Sequence, residues 1–237
     1  MAEAQYGAAR GHRDVLYISA GVGLGGGIIR DGQLYRGVSG YAGEFGHMRA
    51  IGGGDRRCGC GNFGCWETLV SERALFADIR SRVAEDQASL LAWAASEDPG
   101  RTALTVPVVV DAAQAGDEVA VEALRTVGQA LGSGIASLIN ALNPELVVLG
   151  GSLSLAGELL LPAIEIELEE HALRWSRTAA RVVIAQHRFD ACVMGGIATV
   201  IEASQLVLAH PGQMTGLTWL GALAKEREPA GTLFERR

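Results

Sequence analysis

Cys58, Cys60 and Cys65 fall within eight residues, and His47 stands ahead of the first of them with ten residues between. No other feature of this chain limits its fold as much. Gly59, Gly61 and Gly64 interleave the thiols, so the backbone can turn tightly around one small centre. Three thiolates and one imidazole form a closed tetrahedral set for Zn²⁺, with no position left for a catalytic water. Thiolates alone also suit copper(I) and iron–sulfur clusters; an imidazole among them favours zinc. The alternative is a group of unrelated reduced thiols, and the spacing is not that of a disulfide framework. Residues 36–67 hold few apolar side chains with which to fold by packing. Metal binding, worth on the order of 10 kcal/mol, would order such a loop. Cys192 lies far from the cluster and is expected to be a small core residue.

With 237 residues, 49 % of them hydrophobic, the chain can bury a sizeable core. Its net charge of −7 argues against a basic nucleic-acid-binding face on this chain. Apolar runs such as 106–110 and 146–149 are far short of the roughly 20 residues that span a bilayer. No basic-then-apolar leader opens the sequence. A soluble, cytoplasmic protein with no membrane partner is expected.

Residues 1–13 suggest the end of a helix closing near Gly7 or Gly11. Asp14 to Leu34 suggests two antiparallel strands joined by the glycine run Gly21, Gly23, Gly25, Gly26 and Gly27, with Asp31-Gly32 as a hairpin signal. A helix is expected over 69–84 and a loop with an Asp98-Pro99-Gly100 turn over 96–105. The strongest helix covers 117–142, where Ala120, Leu124, Val127, Leu131, Ile135, Leu138 and Leu142 step by three and four. Asn143-Pro144 ends it. A buried strand over 145–149, the Gly150-Gly151 turn, a helix over 156–173, a strand over 181–185 and a helix over 192–208 complete an α/β pattern. One domain over 1–210 and a poorly ordered tail over 211–237 are expected.

The paired segments Gly43-Glu44-Phe45-Gly46-His47 and Cys58-Gly59-Cys60-Gly61-Asn62-Phe63-Gly64-Cys65-Trp66-Glu67 resemble the signature of the ROK family (repressor, open reading frame, kinase). Gly21 to Gly27 resembles that family's second phosphate loop, and Asn143 to Gly151 its nucleotide-side strand and turn. The resemblance covers about residues 3–208. It implies an actin-like ATPase lobe of ribonuclease H-like type with a zinc-stabilised loop. It also implies zinc ligation by His47, Cys58, Cys60 and Cys65, and a sugar or sugar phosphate held by Glu44, His47 and Glu67. Gly21, Gly23, Gly25, Gly26, Gly150 and Gly151 would face phosphate or nucleotide. Read from the residues alone, Glu44 and Glu67 can equally be solvated loop carboxylates. The glycine run can be a hairpin without a ligand, and Gly150-Gly151 a plain strand-to-helix turn. Trp66 can stack on a sugar or pack over the cysteine loop. His12, His171, His187 and His210 show no partner pattern.

By the resemblance, two functions follow. One is the effector-binding lobe of a sugar-responsive transcriptional regulator, which reaches DNA only through an N-terminal helix-turn-helix. The other is a glucokinase-type sugar kinase using ATP and Mg²⁺. The kinases usually carry Thr where this chain has Val22, and their catalytic Asp and first lobe would lie upstream of Met1. The regulator reading is therefore preferred, with negligible kinase activity expected from this chain alone and a homodimer implied by the family.

Overall fold

The computed structural model describes residues 1–85, 88–95, 104–187, 193–198, 200 and 201. Three strands come early: β1 (Val15–Ala20), β2 (Leu24–Arg30) and β3 (Gln33–Tyr35). Two come late: β4 (Leu146–Gly150) and β5 (Arg181–Ile184). They form one mixed sheet in the order β3-β2-β1-β4-β5. β2 runs antiparallel to β1 and β3, while β4 and β5 run parallel to β1. Period-two alternation splits each central strand between two faces. Leu16, Ile18, Val147 and Leu149 enter the large core; Val15, Leu146 and Val148 enter a smaller one with Ala9 and Ala185. β4 is buried at all five positions, as a central parallel strand covered on both sides must be.

The helices are α1 (Ala2–Tyr6), α2 (Glu67–Val70), α3 (Glu72–Glu85), α4 (Ala92–Ala95), α5 (Val106–Gln114), α6 (Glu118–Leu142), α7 (Gly157–His171) and α8 (Arg174–Ala179). The Asp117 carboxylate caps α6 by accepting the Ala120 N–H at 2.9 Å. Asn143, left-handed at φ 47°, closes its far end. The apolar stripe of α6 is buried from Ala120 to Leu138, but Leu142, at its end, is 46 % exposed. α7 lies so close to α6 that a Cβ on Gly128 would sit 3.0 Å from the Leu160 carbonyl oxygen and one on Gly132 2.9 Å from that of Ile164.

The structure departs from the expected pattern in four places. Only Gly21-Val22-Gly23 forms the β1–β2 turn; Gly25, Gly26 and Gly27 lie inside β2, opposite Ser19, Ile18 and Tyr17. The Asp31-Gly32 hairpin adds a third strand rather than ending the second. The helix expected over 69–84 is two helices, broken at Ser71, whose φ/ψ of −100°/164° is extended. α4, α5 and α8 were not expected: four valines in α5 have low helix propensity, and α4 and α8 have only four and six residues. The expected 192–208 helix is seen over 193–198. Its remainder beyond 201, Cys192, His210, the 98–100 turn and the 211–237 tail lie outside the described residues. Among the described residues, no helix is long and apolar enough to cross a membrane.

Candidate metal and ligand site

The cysteine segment folds as a knuckle. The Cys58 N–H donates to the Asn62 carbonyl at 2.8 Å and the Gly61 N–H to the Cys58 carbonyl at 3.0 Å. Gly61, at φ +94°, makes this turn possible. Backbone bridges Arg57–Phe63 and Arg49–Cys65 then close the loop on itself. This folding brings His47, Cys58, Cys60 and Cys65 together, with one ligand atom from each within 4.8 Å of every other. The Cys60 and Cys65 sulfurs are 3.7 Å apart, as are the Cys58 sulfur and His47 Nδ1. A tetrahedron with Zn–S bonds of about 2.3 Å has S–S edges of roughly 3.8 Å, so these donors fit a single tetrahedral ion.

Cys58 and Cys65 are buried and Cys60 is exposed. Burial first, then the neighbouring Cys60 and Cys58, pushes the Cys65 thiol up to about 12. The Cys60 thiol is lowered, chiefly by a hydrogen bond from the Asn62 backbone. A cation at this centre would reverse the penalty on Cys65 by compensating the crowded thiolates.

His47 sits in a 3₁₀ turn, Phe45–His47, laid against β2. The fit is backbone to backbone: a Cβ on Gly46 would be 2.1 Å from the Leu24 carbonyl oxygen, and one on Gly43 2.4 Å from that of Gly26. A Cβ on Gly26 would in turn strike the Phe45 ring. Gly26 inside β2 therefore makes room for the loop that carries His47. While Nδ1 faces the Cys58 sulfur, Nε2 is 3.7 Å from the Glu44 carboxylate. Trp66 is buried, donating from Nε1 to the Ala130 carbonyl of α6 at 2.8 Å. It packs over α6, not toward an open surface.

Glu67 opens α2 directly after Trp66. Its Oε2 accepts the Leu24 N–H at 3.0 Å and its Oε1 is 3.7 Å from the Cys58 sulfur. The Gly21-Val22-Gly23 turn is held at its other end as well, where the Gly21 carbonyl accepts the Glu72 N–H at 2.7 Å. Ser152 donates its hydroxyl to the Glu72 carboxylate. A Cβ on Gly21 would lie 3.0 Å from that hydroxyl oxygen, and one on Gly151 (φ +80°) 2.3 Å from the Ala20 carbonyl. The β1–β2 turn and the Gly150-Gly151 turn are thus neighbours, while Gly25 and Gly26 stand apart from them in β2. Val22 projects outward, 77 % exposed.

A cleft of about 880 Å³ begins at Val22, Cys58 and Glu67 and passes Arg56, Arg57 and Arg73. Glu44 and His47 are outside it, on the open surface beside the cysteine loop. Sequence reasoning missed Glu72, Ser152 and these three arginines. None lies in a motif, and only the sheet order brings residues 21, 72 and 152 together.

The ROK family profile matches residues 1–203. Among curated relatives, the "Xylose repressor" of Caldicellulosiruptor bescii is 35 % identical over 190 residues, 80 % of this chain and 46 % of the repressor. The "Glucokinase" of Halalkalibacterium halodurans is 39 % identical over 190 residues, 80 % of this chain and 57 % of the kinase. A crystal structure of a ROK family glucokinase from Streptomyces griseus, in complex with glucose and AMPPNP, superposes with a TM-score of 0.73 at 37 % identity, covering 82 % of this chain and 62 % of that one. The chain spans about half the length of the curated relatives it matches. Sheet and profile together give the chain the actin-like fold of ROK sugar kinases and regulators. This chain belongs to the ROK family.

Proposed function

We propose that this chain is the sugar-binding lobe of a ROK transcriptional regulator, organised by one structural zinc ion on His47, Cys58, Cys60 and Cys65. One observation carries the reading: the His47 ring joins the thiol cluster, through Nδ1, to the Glu44 carboxylate, through Nε2. Zinc on Nδ1 fixes the tautomer, so Nε2 bears the proton and donates outward. Glu44 accepts from sugar hydroxyls beside it, and Glu67 contributes Oε1, its other oxygen being held by Leu24. The ion supplies a fixed scaffold and no catalytic water. With a net charge of −7, DNA contact falls to another module of the whole protein. A homodimer is part of the same proposal.

A second reading, an ATP- and Mg²⁺-dependent sugar kinase, has its own support. Gly21, Gly23, Gly150, Gly151 and Ser152 gather at one end of the sheet, where backbone N–H groups can meet phosphate. Val22 weighs against it, since it brings no hydroxyl to that turn.

Titration of the full chain with glucose, xylose and N-acetylglucosamine, by calorimetry, tests the first reading. We expect one of them to bind and Glu44→Ala to weaken binding at least about tenfold, the scale of a lost hydrogen bond to a charged group. Equal affinities for wild type and variant, or binding of none of the three, would contradict it. Phosphoryl transfer from ATP to glucose at about 1–100 s⁻¹ would establish the kinase reading instead.

A further inference from the structure

We infer that Glu67 is a positioning residue that couples metal occupancy of the cysteine loop to the shape of the Gly21-Val22-Gly23 turn. The inference rests on the reading of His47, Cys58, Cys60 and Cys65 as metal ligands. It adds a regulatory link between that centre and a turn on the opposite side of Glu67.

Two segments that carry metal ligands converge on a single residue, Leu24, the first after the turn. The 3₁₀ turn bearing His47 presses on the Leu24 carbonyl, where a Cβ on Gly46 would come within 2.1 Å. The segment bearing Cys65 reaches the Leu24 amide through Glu67 Oε2 at 3.0 Å. Only Trp66 separates Cys65 from Glu67. That short connection is stiff: Thr68 donates from its N–H (2.9 Å) and its hydroxyl (2.7 Å) to the Cys65 carbonyl, and Trp66 is anchored on α6. The carboxylate also touches the turn, since a Cβ on Gly23 would lie 2.7 Å from Oε2.

An ion bound to His47 and Cys65 ties these two segments together and fixes where Glu67 can stand. The far side of the turn is pinned independently, by the Gly21 carbonyl on the Glu72 N–H. Besides its own Gly21 N–H to Gly23 carbonyl bond at 2.9 Å and the Ala20–Leu24 pairing, the turn thus has one outside anchor at Glu72 and one that depends on the cysteine loop. Removing the ion frees the second anchor, and the turn gains conformers. Linkage makes the effect reciprocal: whatever orders the turn tightens the metal by the same factor.

Hydrogen exchange of the Leu24 amide in the full chain tests the coupling, with zinc content measured on the same samples. Three proteins are compared, wild type, Glu67→Gln and Glu67→Ala, each zinc-loaded and after chelation. Glutamine keeps a carbonyl oxygen to accept the Leu24 N–H; alanine keeps none. In loaded protein we expect Glu67→Ala to speed Leu24 exchange by about tenfold or more and Glu67→Gln to restore most of the protection. Chelation of wild type should reproduce the alanine result at Leu24 while the amides of α6 stay protected, which separates turn release from unfolding. Zinc bound in wild type with Leu24 exchange unchanged by chelation would overturn the coupling and leave the metal reading standing. A wild-type chain that takes up no zinc would overturn both, and the metal content alone would reveal which case holds.

Discussion

Trp66 fills a space that only glycine leaves open: a Cβ on Gly134 of α6 would lie 2.2 Å from its indole ring. Gly134→Val is therefore expected to lower stability by about 1–3 kcal/mol, the cost of overpacking, in urea unfolding. Glu3 holds a second such position. Its buried carboxylate accepts the backbone N–H groups of Ala8 (2.7 Å), Gln186 (3.2 Å) and His187 (2.8 Å), clasping the segment after α1 to the segment after β5. Glu3→Ala leaves these donors without their acceptor and should cost roughly 1–3 kcal/mol in the same assay. Cys65 gives a pH dependence. Its thiol is raised to about 12 in the folded chain, above the ordinary value of about 8.5. A raised folded pKa stabilises below the unfolded value and loses that contribution as pH climbs toward the folded one. The metal-free protein should thus melt at progressively lower temperature from about pH 8.5 upward. A flat melting curve across that range would contradict the burial of Cys65. The four metal-ligand candidates could be recognised in sequence because cysteine and histidine spacing carries chemistry by itself. Glu3, Gly134 and the Glu67–Leu24 bond could not, because their partners lie 183, 68 and 43 positions away.

At the scale of elements, α6 was the most legible part of the chain. Its period and its Asn143 stop agree with the observed helix except at Leu142, which is exposed, and the structure adds the Asp117 cap. What its sequence does not reveal is why Gly128 and Gly132 interrupt a good helix. They are where α7 crosses at backbone distance. Gly128→Leu should force the two helices apart and lower the melting midpoint, with a stability loss of about 1–3 kcal/mol by calorimetry. The glycine run over 21–27 was partly misjudged for the converse reason. Glycine is depleted in strands, so five glycines suggested a turn. The Phe45 ring of the loop carrying His47 excludes a side chain at Gly26, and Gly25, Gly26 and Gly27 all pair with β1 as part of the strand. In α5, Thr105 caps the helix and Pro107 stands in its first turn, a start that the run of valines obscures in sequence.

For the whole molecule, the α/β class followed from the alternation of strands and helices, while the order β3-β2-β1-β4-β5 did not. That order depends on β1 pairing with β4 across more than a hundred residues. It sets the glycine turn beside Ser152, and α3 brings Glu72 to the same turn, which is why those two residues escaped the sequence. In the function proposed above, one zinc ion orders the cysteine loop and, through it, the sugar-facing side of the chain. Metal analysis of the purified full chain tests this most directly, with Cys58→Ser and Cys65→Ser combined as the control. The account predicts one zinc per wild-type chain and almost none in the double variant. Wild-type protein free of zinc even after exposure to it, or a double variant holding as much as wild type, would contradict the account.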